Sequence, residues 1–487
     1  MSRDWTIRMG VLAPVALCAV LYLTALDAAG LLGPDEPRYA WIAREMARTG
    51  DWVTPKLWGQ PWFEKPPLTY WMMALAFRCG LGDDLAPRLP VALASLLFLA
   101  SYRHALAREF GPRAATFATL ILGTSAGWLA YSRIGVTDIP LAVTFSGAML
   151  AALPWLARGD RRLLPLAAAL LGLAVLAKGL VPVVLSLPLI WLGRRRCRDL
   201  LRPAPAAVFL LVAAPWYVAM TVRHGRPFID QFFLQHHLAR IYADTLQHVQ
   251  PWWFYIPVLI TGLLPWAPLA ALTARCRFYA DVRLRFFLWL TIFGLVFFSL
   301  VRNKLPGYLL PLMPAACALA GVALDRAEQV RWQLAAAAAS LALAPLAAGV
   351  LPSALEVGIR KAQWPEWSWA GAVAAAPLAL WCWRQAPRRA GHAVWTIALG
   401  VAVAVLWMAR TTLPVLDHSV SVRGFWRATG GAAAHCCVEA VGRERHYGLN
   451  YYARRPLPDC RQQPQACRIV PAPGGLLTIC SAQHRLN

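Results

Sequence analysis

The chain is 487 residues long, with 59% hydrophobic and only 15% charged side chains, more apolar material than a soluble core of this size can bury. Lysine and arginine total 48 against 24 acids, a net charge of +24. Because the positive charges sit in short gaps between apolar stretches, not on one basic face, they argue against a nucleic-acid-binding domain and for loops between membrane spans.

Stretches near the roughly 20 residues that cross a bilayer recur along the chain, at 9–29, 87–107, 114–131, 136–157, 162–177, 179–193, 204–222, 253–273, 284–301, 305–324, 332–351, 367–383 and 392–410. They predict an α-helical polytopic membrane protein with about thirteen spans. The first stretch follows Arg3 and Arg8 and lacks a small-residue cleavage site, so it reads as a retained anchor with the N-terminus in the cytoplasm.

Alternate connections carry arginine, in clusters such as Arg103, Arg108 and Arg113, Arg158 to Arg162, Arg194 to Arg202, Arg275 to Arg285 and Arg384 to Arg389. The positive-inside rule assigns these to the cytoplasm. The parity holds only if residues 66–81, short, opened by Pro66-Pro67 and carrying Arg78, do not span but lie in the headgroup layer. All five lysines, Lys56, Lys65, Lys178, Lys304 and Lys361, then fall on the outer side, although lysine was not used to set the topology.

The first outer loop, 30–86, holds GPDEPRYAWIAREM and FEKPPLTYW. Pro34-Asp35-Glu36 suits a helix start, where acids meet the positive end of the helix dipole. Capping accounts for one carboxylate but not for Asp35, Glu36, Arg38, Glu64 and Lys65 together. Asp138 in VTDIPL stands at the mouth of another span, where Thr137-Asp138 could equally cap the helix. Lys178 in AKGLVP occupies a tight turn, where a snorkelling interfacial lysine is the alternative, and Lys304 in RNKLPGYLLPL precedes a span with Tyr308 one turn on. The loop 223–252 contains His236, His237 and Arg240; adjacent histidines point about 100° apart on a helix and serve one ion poorly.

Carboxylates and cations gathered on one face suit phosphate chemistry, the cations neutralising a phosphate leaving group and the carboxylates positioning an acceptor. The expected substrate and phosphate contacts are Glu36, Arg38, Lys65, Lys178, Arg240 and Lys304. No Walker A or GxGxxG motif occurs, so no nucleotide cofactor is expected and the activated donor is expected to be lipid-borne.

The tail, 411–487, turns polar and carries five of the eleven cysteines, Cys436, Cys437, Cys460, Cys467 and Cys480. It is expected to form a small α/β domain outside the cytoplasm, with strands in RHYGLNYYARRPLPDC and one or two disulfides that leave at least one thiol free. Connectivity is left open. Residues 1–410 form the membrane domain, in which the other six cysteines are packing residues.

The first-loop acidic motif, FEKPPLTYW, VTDIPL, AKG, FFLQHHLARI, PWWFYIPVLITGLLPW and NKLPGYLLPL stand in the order found in ArnT-like glycosyltransferases, which this chain resembles from about Asp35 to Pro314. That family is similar to the wider GT-C group, which includes protein mannosyltransferases, and moves a sugar from a polyprenyl phosphate to an acceptor at the outer leaflet of the bacterial inner membrane. The resemblance implies a GT-C fold with periplasmic juxtamembrane helices, an undecaprenyl-phosphate-linked sugar donor and a lipid A acceptor. It makes Asp35 the leading catalytic carboxylate and Asp138 a second essential acid. Lys65, with Arg240 or a nearby cation, would contact the lipid phosphate, Tyr308 would flank it, and Glu64 and His237 would bind a divalent ion, zinc. The chain is shorter than the family's founding member and its tail does not align, so the sugar is 4-amino-4-deoxy-L-arabinose or a hexosamine. A protein O-mannosyltransferase and a lipid or solute transporter are the rival readings; a transport site would sit near the midplane.

Overall fold

The computed structural model describes residues 3–238, 250–274, 276–367, 369–472 and 476–481. Each of the thirteen apolar stretches is helical over most of its length, but they divide into two kinds. Among the described residues seven helices are long and apolar enough to cross a bilayer, and eight qualify if the pair Trp252–Gly262 and Ala267–Ala274, bent by 107°, is one span. The rest are short or interrupted. α1 (Arg3–Leu23) contributes an apolar segment over Leu12–Leu23. Between residues 112 and 131 the chain breaks at Ser125, and between 181 and 192 it breaks at Ser186, where Pro182 and Pro188 each sit in a first turn and remove amide donors that a continuous helix would use. The long helix Trp369–Val415 leaves helical geometry at Arg389.

α2 (Asp35–Thr49) follows the first apolar helix, with Asp35 and Glu36 in its first turn. A two-stranded hairpin, β1 (Lys56–Leu57) and β2 (Gln60–Pro61), leads to α3 (Leu68–Arg78). α3 has 11 residues, about 16 Å at 1.5 Å per residue, too short to cross. It packs on α2, with the Tyr39 and Tyr70 rings edge to face at 5.6 Å. α4 (Leu89–Phe110), α5 (Pro112–Thr124), α6 (Ala126–Tyr131), α7 (Asp138–Arg158) and α8 (Leu164–Lys178) build the core of the bundle, in which Trp128, Phe145 and Trp155 are fully buried.

Ion pairs sort the connections onto two faces. On one, Glu109 accepts from Arg158 and Arg283 at 2.9 and 3.0 Å, Arg161 meets Asp199 at 2.9 Å, and Arg113 meets Asp325 at 3.4 Å. On the other, the Arg423 guanidinium donates to the Asp27 carbonyl and to Asp84, the Tyr452 hydroxyl donates to Asp84, and Arg445 pairs with Glu356. The Lys304 ammonium joins this face by donating to the Gln250 carbonyl. The arginine-rich loops therefore cluster with one another, and the C-terminal residues cluster with the first loop.

Beyond the long helix the chain forms a three-stranded sheet of β3 (Cys437–Val438), β4 (Cys467–Pro471) and β5 (Leu477–Ser481) in the order β3-β4-β5. β3 runs parallel to β4, and β5 antiparallel to it. Val438, Leu449 and Ile469 are buried at its centre. Disulfides join Cys436 to Cys467 and Cys437 to Cys460, leaving Cys480 free and exposed. One expectation fails here: RHYGLNYYA is not strand but part of the helix Arg443–Ala453. Tyr447, Leu449, Tyr451 and Tyr452 include pairs three and four apart as well as an alternating set, and tertiary burial of Leu449, Asn450 and Tyr451 selects the helical period. Cys18, Cys317 and Cys382 are buried as expected, whereas Cys79 is exposed.

Candidate active site

The two adjacent acids of the first turn of α2 have different fates. Glu36 is 1% exposed and accepts four hydrogen bonds, from Arg88 Nε and Nη2 at 2.7 and 2.8 Å and from the amides of Leu32 and Gly135 at 2.8 Å. Arg88 in turn donates to the carbonyls of Leu26, Ala29 and Gly30. Glu36 was expected at the substrate; its bonding instead makes it the buried clasp that ties α2, α4 and the end of α1 together. Arg88, which sequence reading missed, is an arginine at the end of a span beside the acidic first loop and apart from the arginine-rich connections, and that departure is the signal that could have found it.

Asp35, by contrast, keeps 40% of its side chain exposed and pairs with Arg38. Arg38 continues to Glu64 at 3.1 Å, and Glu64 to the Lys65 ammonium at 3.0 Å, a chain of alternating charge. Three rings surround the Arg38 guanidinium: Trp62 at 5.3 Å, Tyr39 at 5.4 Å and Tyr447, from the C-terminal segment, at 5.8 Å. Burial, with Asp35 and Glu64 nearby, pushes the Tyr39 phenol well above its usual range, so it stays a neutral donor.

A second ion pair forms where α7 begins and α8 ends. Antiparallel packing brings the first residue of α7, Asp138, to the last residue of α8, Lys178, whose ammonium donates to the Asp138 carboxylate at 2.6 Å; each charge also matches its helix end. The same ammonium lies 4.8 Å from the centre of the Tyr308 ring, a cation–π contact. Gly307 makes room for this: a Cβ there would stand 2.6 Å from Asp138 Oδ1 and 2.9 Å from Tyr131 Cε1. Tyr131, also missed in the sequence although it opens YSRIGVTD, stands with Asp138 beside Gly307 and lies within electrostatic reach of both Asp35 and Asp138.

Not every expected residue joins them. Lys304 is buried and donates to the carbonyls of Val301 and Gln250 at 2.6 and 3.0 Å, so that it completes the end of a helix. Arg240 and the His237 side chain lie outside the described residues. Among the described residues no three His, Cys, Asp or Glu side chains converge, and Glu64 sits between two cations, a poor setting for a further one. By themselves the described residues do not make a zinc site.

A family model described as dolichyl-phosphate-mannose-protein mannosyltransferase matches residues 64–219, a stretch that includes Glu64, Lys65, Asp138 and Lys178. The undecaprenyl phosphate-alpha-4-amino-4-deoxy-L-arabinose arabinosyl transferase 2 of Pseudomonas fluorescens is 35% identical over 342 residues, 65% of this chain and 57% of that protein. The corresponding transferase of Serratia proteamaculans is 31% identical over 353 residues, 68% of this chain and 61% of that one. These alignments thus span about three fifths of the curated relatives. The crystal structure of ArnT from Cupriavidus metallidurans bound to undecaprenyl phosphate superposes with a TM-score of 0.73 at 27% identity, covering 96% of this chain and 93% of that one. The chain resembles ArnT in sequence and in structure, and it has a GT-C fold.

The fold likeness extends more distantly to the arabinosyltransferase EmbB of Mycobacterium smegmatis, at 17% identity and a TM-score of 0.51. In this ArnT-like chain the structural match runs through the C-terminal domain, where the sequence motifs had stopped at Pro314. All of the described site residues, Asp35, Arg38, Glu64, Lys65, Asp138, Lys178 and Tyr308, come from the first loop or from the ends of helices on the face that carries the C-terminal domain.

Proposed function

We propose that this protein is a glycosyltransferase that moves a sugar, 4-amino-4-deoxy-L-arabinose or a hexosamine, from undecaprenyl phosphate to a lipid A phosphate at the periplasmic face of the bacterial inner membrane. The observation that carries the reading is the pairing of two carboxylates with cations, Asp35 with Arg38 and Asp138 with Lys178, on one rim of the bundle. A transporter would need its charges nearer the midplane.

The donor's phosphate is the leaving group, and charge grows on it as the anomeric bond breaks. Lys65 and Lys178, with Arg240, offset that charge, and the Tyr308 ring holds the Lys178 ammonium in place. The acceptor phosphate is already anionic and needs orientation more than deprotonation. Asp35, the more exposed acid, directs it to the anomeric carbon for a single inverting displacement, and Asp138 keeps Lys178 aligned.

Each bent or interrupted stretch counts as one crossing, giving thirteen, and a cytoplasmic N-terminus then leaves residues 411–487 in the periplasm. The contacts of Gly30 and Leu31 with Asp417 and Tyr452 support this count, because they require an even number of crossings between them and twelve satisfies it. Mass spectrometry of lipid A from cells with the wild-type gene, without it and with Asp35→Ala tests the proposal. A sugar-sized mass increment present only with the wild type is expected. An unchanged lipid A beside a mass shift on a protein would favour the O-mannosyltransferase reading instead.

A further inference from the structure

The turn of the hairpin β1–β2 consists of Trp58 and Gly59, with φ of +53° and +82°. A two-residue turn of this kind requires left-handed backbone at both positions and favours Asn-Gly or Gly-Gly. A bulky tryptophan there is an outlier, and strain of this sort persists where the side chain is used. The Trp58 ring reaches Tyr447 of the helix Arg443–Ala453, with centroids 5.3 Å apart. Arg443 fixes the other side of Tyr447, donating from Nε to its hydroxyl at 3.2 Å and lying 5.3 Å from its ring centre. Tyr447 and Trp62 both face the Arg38 guanidinium, which is paired with Asp35.

These rings are not closed core. Trp58, Trp62 and Tyr447 are each only partly buried, and two N–H donors beside them, Trp62 Nε1 and Arg38 Nε, are buried without a hydrogen-bond partner. Buried donors are nearly always satisfied, so both point to an acceptor that arrives with a ligand. A wall of aromatic faces with inward N–H donors next to Asp35 suits a sugar ring, whose C–H face covers apolar surface while its oxygens accept hydrogen bonds.

Resting on the transferase reading above, we propose that Trp58, Trp62 and Tyr447 form the subsite for the donor's sugar ring, so that the C-terminal domain supplies one wall of the active site. The test uses the full-length protein in lipid nanodiscs with lipid A as acceptor, measuring kcat and KM for undecaprenyl-phosphate-linked aminoarabinose, and binding of undecaprenyl phosphate without the sugar. The variants are Tyr447→Ala, Tyr447→Phe and Trp58→Gly, the last of which relieves the left-handed backbone and should leave the fold at least as stable as the wild type. Expected is a rise of about 10-fold or more in donor KM for Tyr447→Ala and Trp58→Gly, and a smaller rise for Tyr447→Phe, which keeps the ring but loses the Arg443 contact. Binding of the bare lipid phosphate and KM for lipid A should stay unchanged. Donor KM within about two-fold of wild type in both variants, or a rise in the lipid A KM alone, overturns the subsite while leaving the transferase reading intact. A wild-type protein that binds undecaprenyl phosphate but transfers neither aminoarabinose nor a hexosamine from it overturns that reading and the subsite with it.

Discussion

Exchanging each acid of the Asp35-Glu36 pair for its amide should separate chemistry from stability within a single helical turn. Glu36→Gln leaves the Arg88 guanidinium charged and buried, and sets amide hydrogens against one of the two backbone donors, Leu32 or Gly135, that the two carboxylate oxygens of Glu36 each satisfy at 2.8 Å. Removing one partner of such a pair costs about 3–5 kcal/mol. Asp35→Asn loses a pair whose acid is 40% exposed, worth roughly 1 kcal/mol or less, and Arg38 keeps Glu64. Thermal unfolding in detergent should therefore show Glu36→Gln lowered by several degrees and Asp35→Asn near wild type. Transfer per folded molecule should fall about 100-fold or more for Asp35→Asn and stay close to wild type for Glu36→Gln. Glu36→Met combined with Arg88→Met should cost less than the sum of the single changes, because neither charge is then stranded. A Glu36→Gln protein as stable as wild type but inactive would refute the structural role assigned to Glu36.

Gly307→Ala places a methyl 2.6 Å from Asp138 Oδ1 and should displace the carboxylate from Lys178, lowering transfer about 10-fold or more with little change in unfolding temperature; unchanged transfer would mean that the Asp138–Lys178 alignment is not used. For Asp51, burial pushes the carboxyl up, but the Thr54 amide, Lys56 and Arg223 outweigh it and hold it down to about 2. A depressed carboxyl stabilises above its unfolded value and loses that contribution as pH falls through its folded one, so wild type and Asp51→Asn should converge in unfolding temperature from about pH 4 down to pH 2 and stay apart above that. The two disulfides close segments of 31 and 23 residues, worth about 3–4 kcal/mol each by loop entropy. Reduction should expose residues 433–472 to limited proteolysis while the membrane helices resist it. A membrane-impermeant maleimide added to cells with a permeabilised outer membrane should label Cys79 and Cys480, both exposed, and not Cys197; labelling of Cys197 alone would reverse the orientation.

Much of the site was legible because charge and hydropathy are local properties. Asp35, Glu64, Lys65, Asp138 and Lys178 stand out as charges beside long apolar runs, and their loops could be placed on one side by counting arginines. Their partners could not. Glu36 lies beside Asp35 in sequence, yet its fate depends on Arg88, 52 residues away. Lys304 looked like Lys178, each beside an apolar run, and only the carbonyls of Val301 and Gln250 show that it completes a helix end. Tyr131 carries no charge to mark it.

The sequence by itself determined that this is a membrane protein with two chemically distinct faces, because about 20 apolar residues in a row have nowhere else to go and the arginine bias needs only counting. It also marked which loops hold acids and lysines. The tertiary structure decided what those groups do. Which helices break, which cysteines join, whether residues 443–453 coil or extend, and whether a carboxylate meets a buried guanidinium or an open rim all depend on neighbours distant in the chain. Apolar burial adds up along a segment, whereas ion pairing and ring contact act over a few ångströms in space and leave no periodic trace in the order of residues.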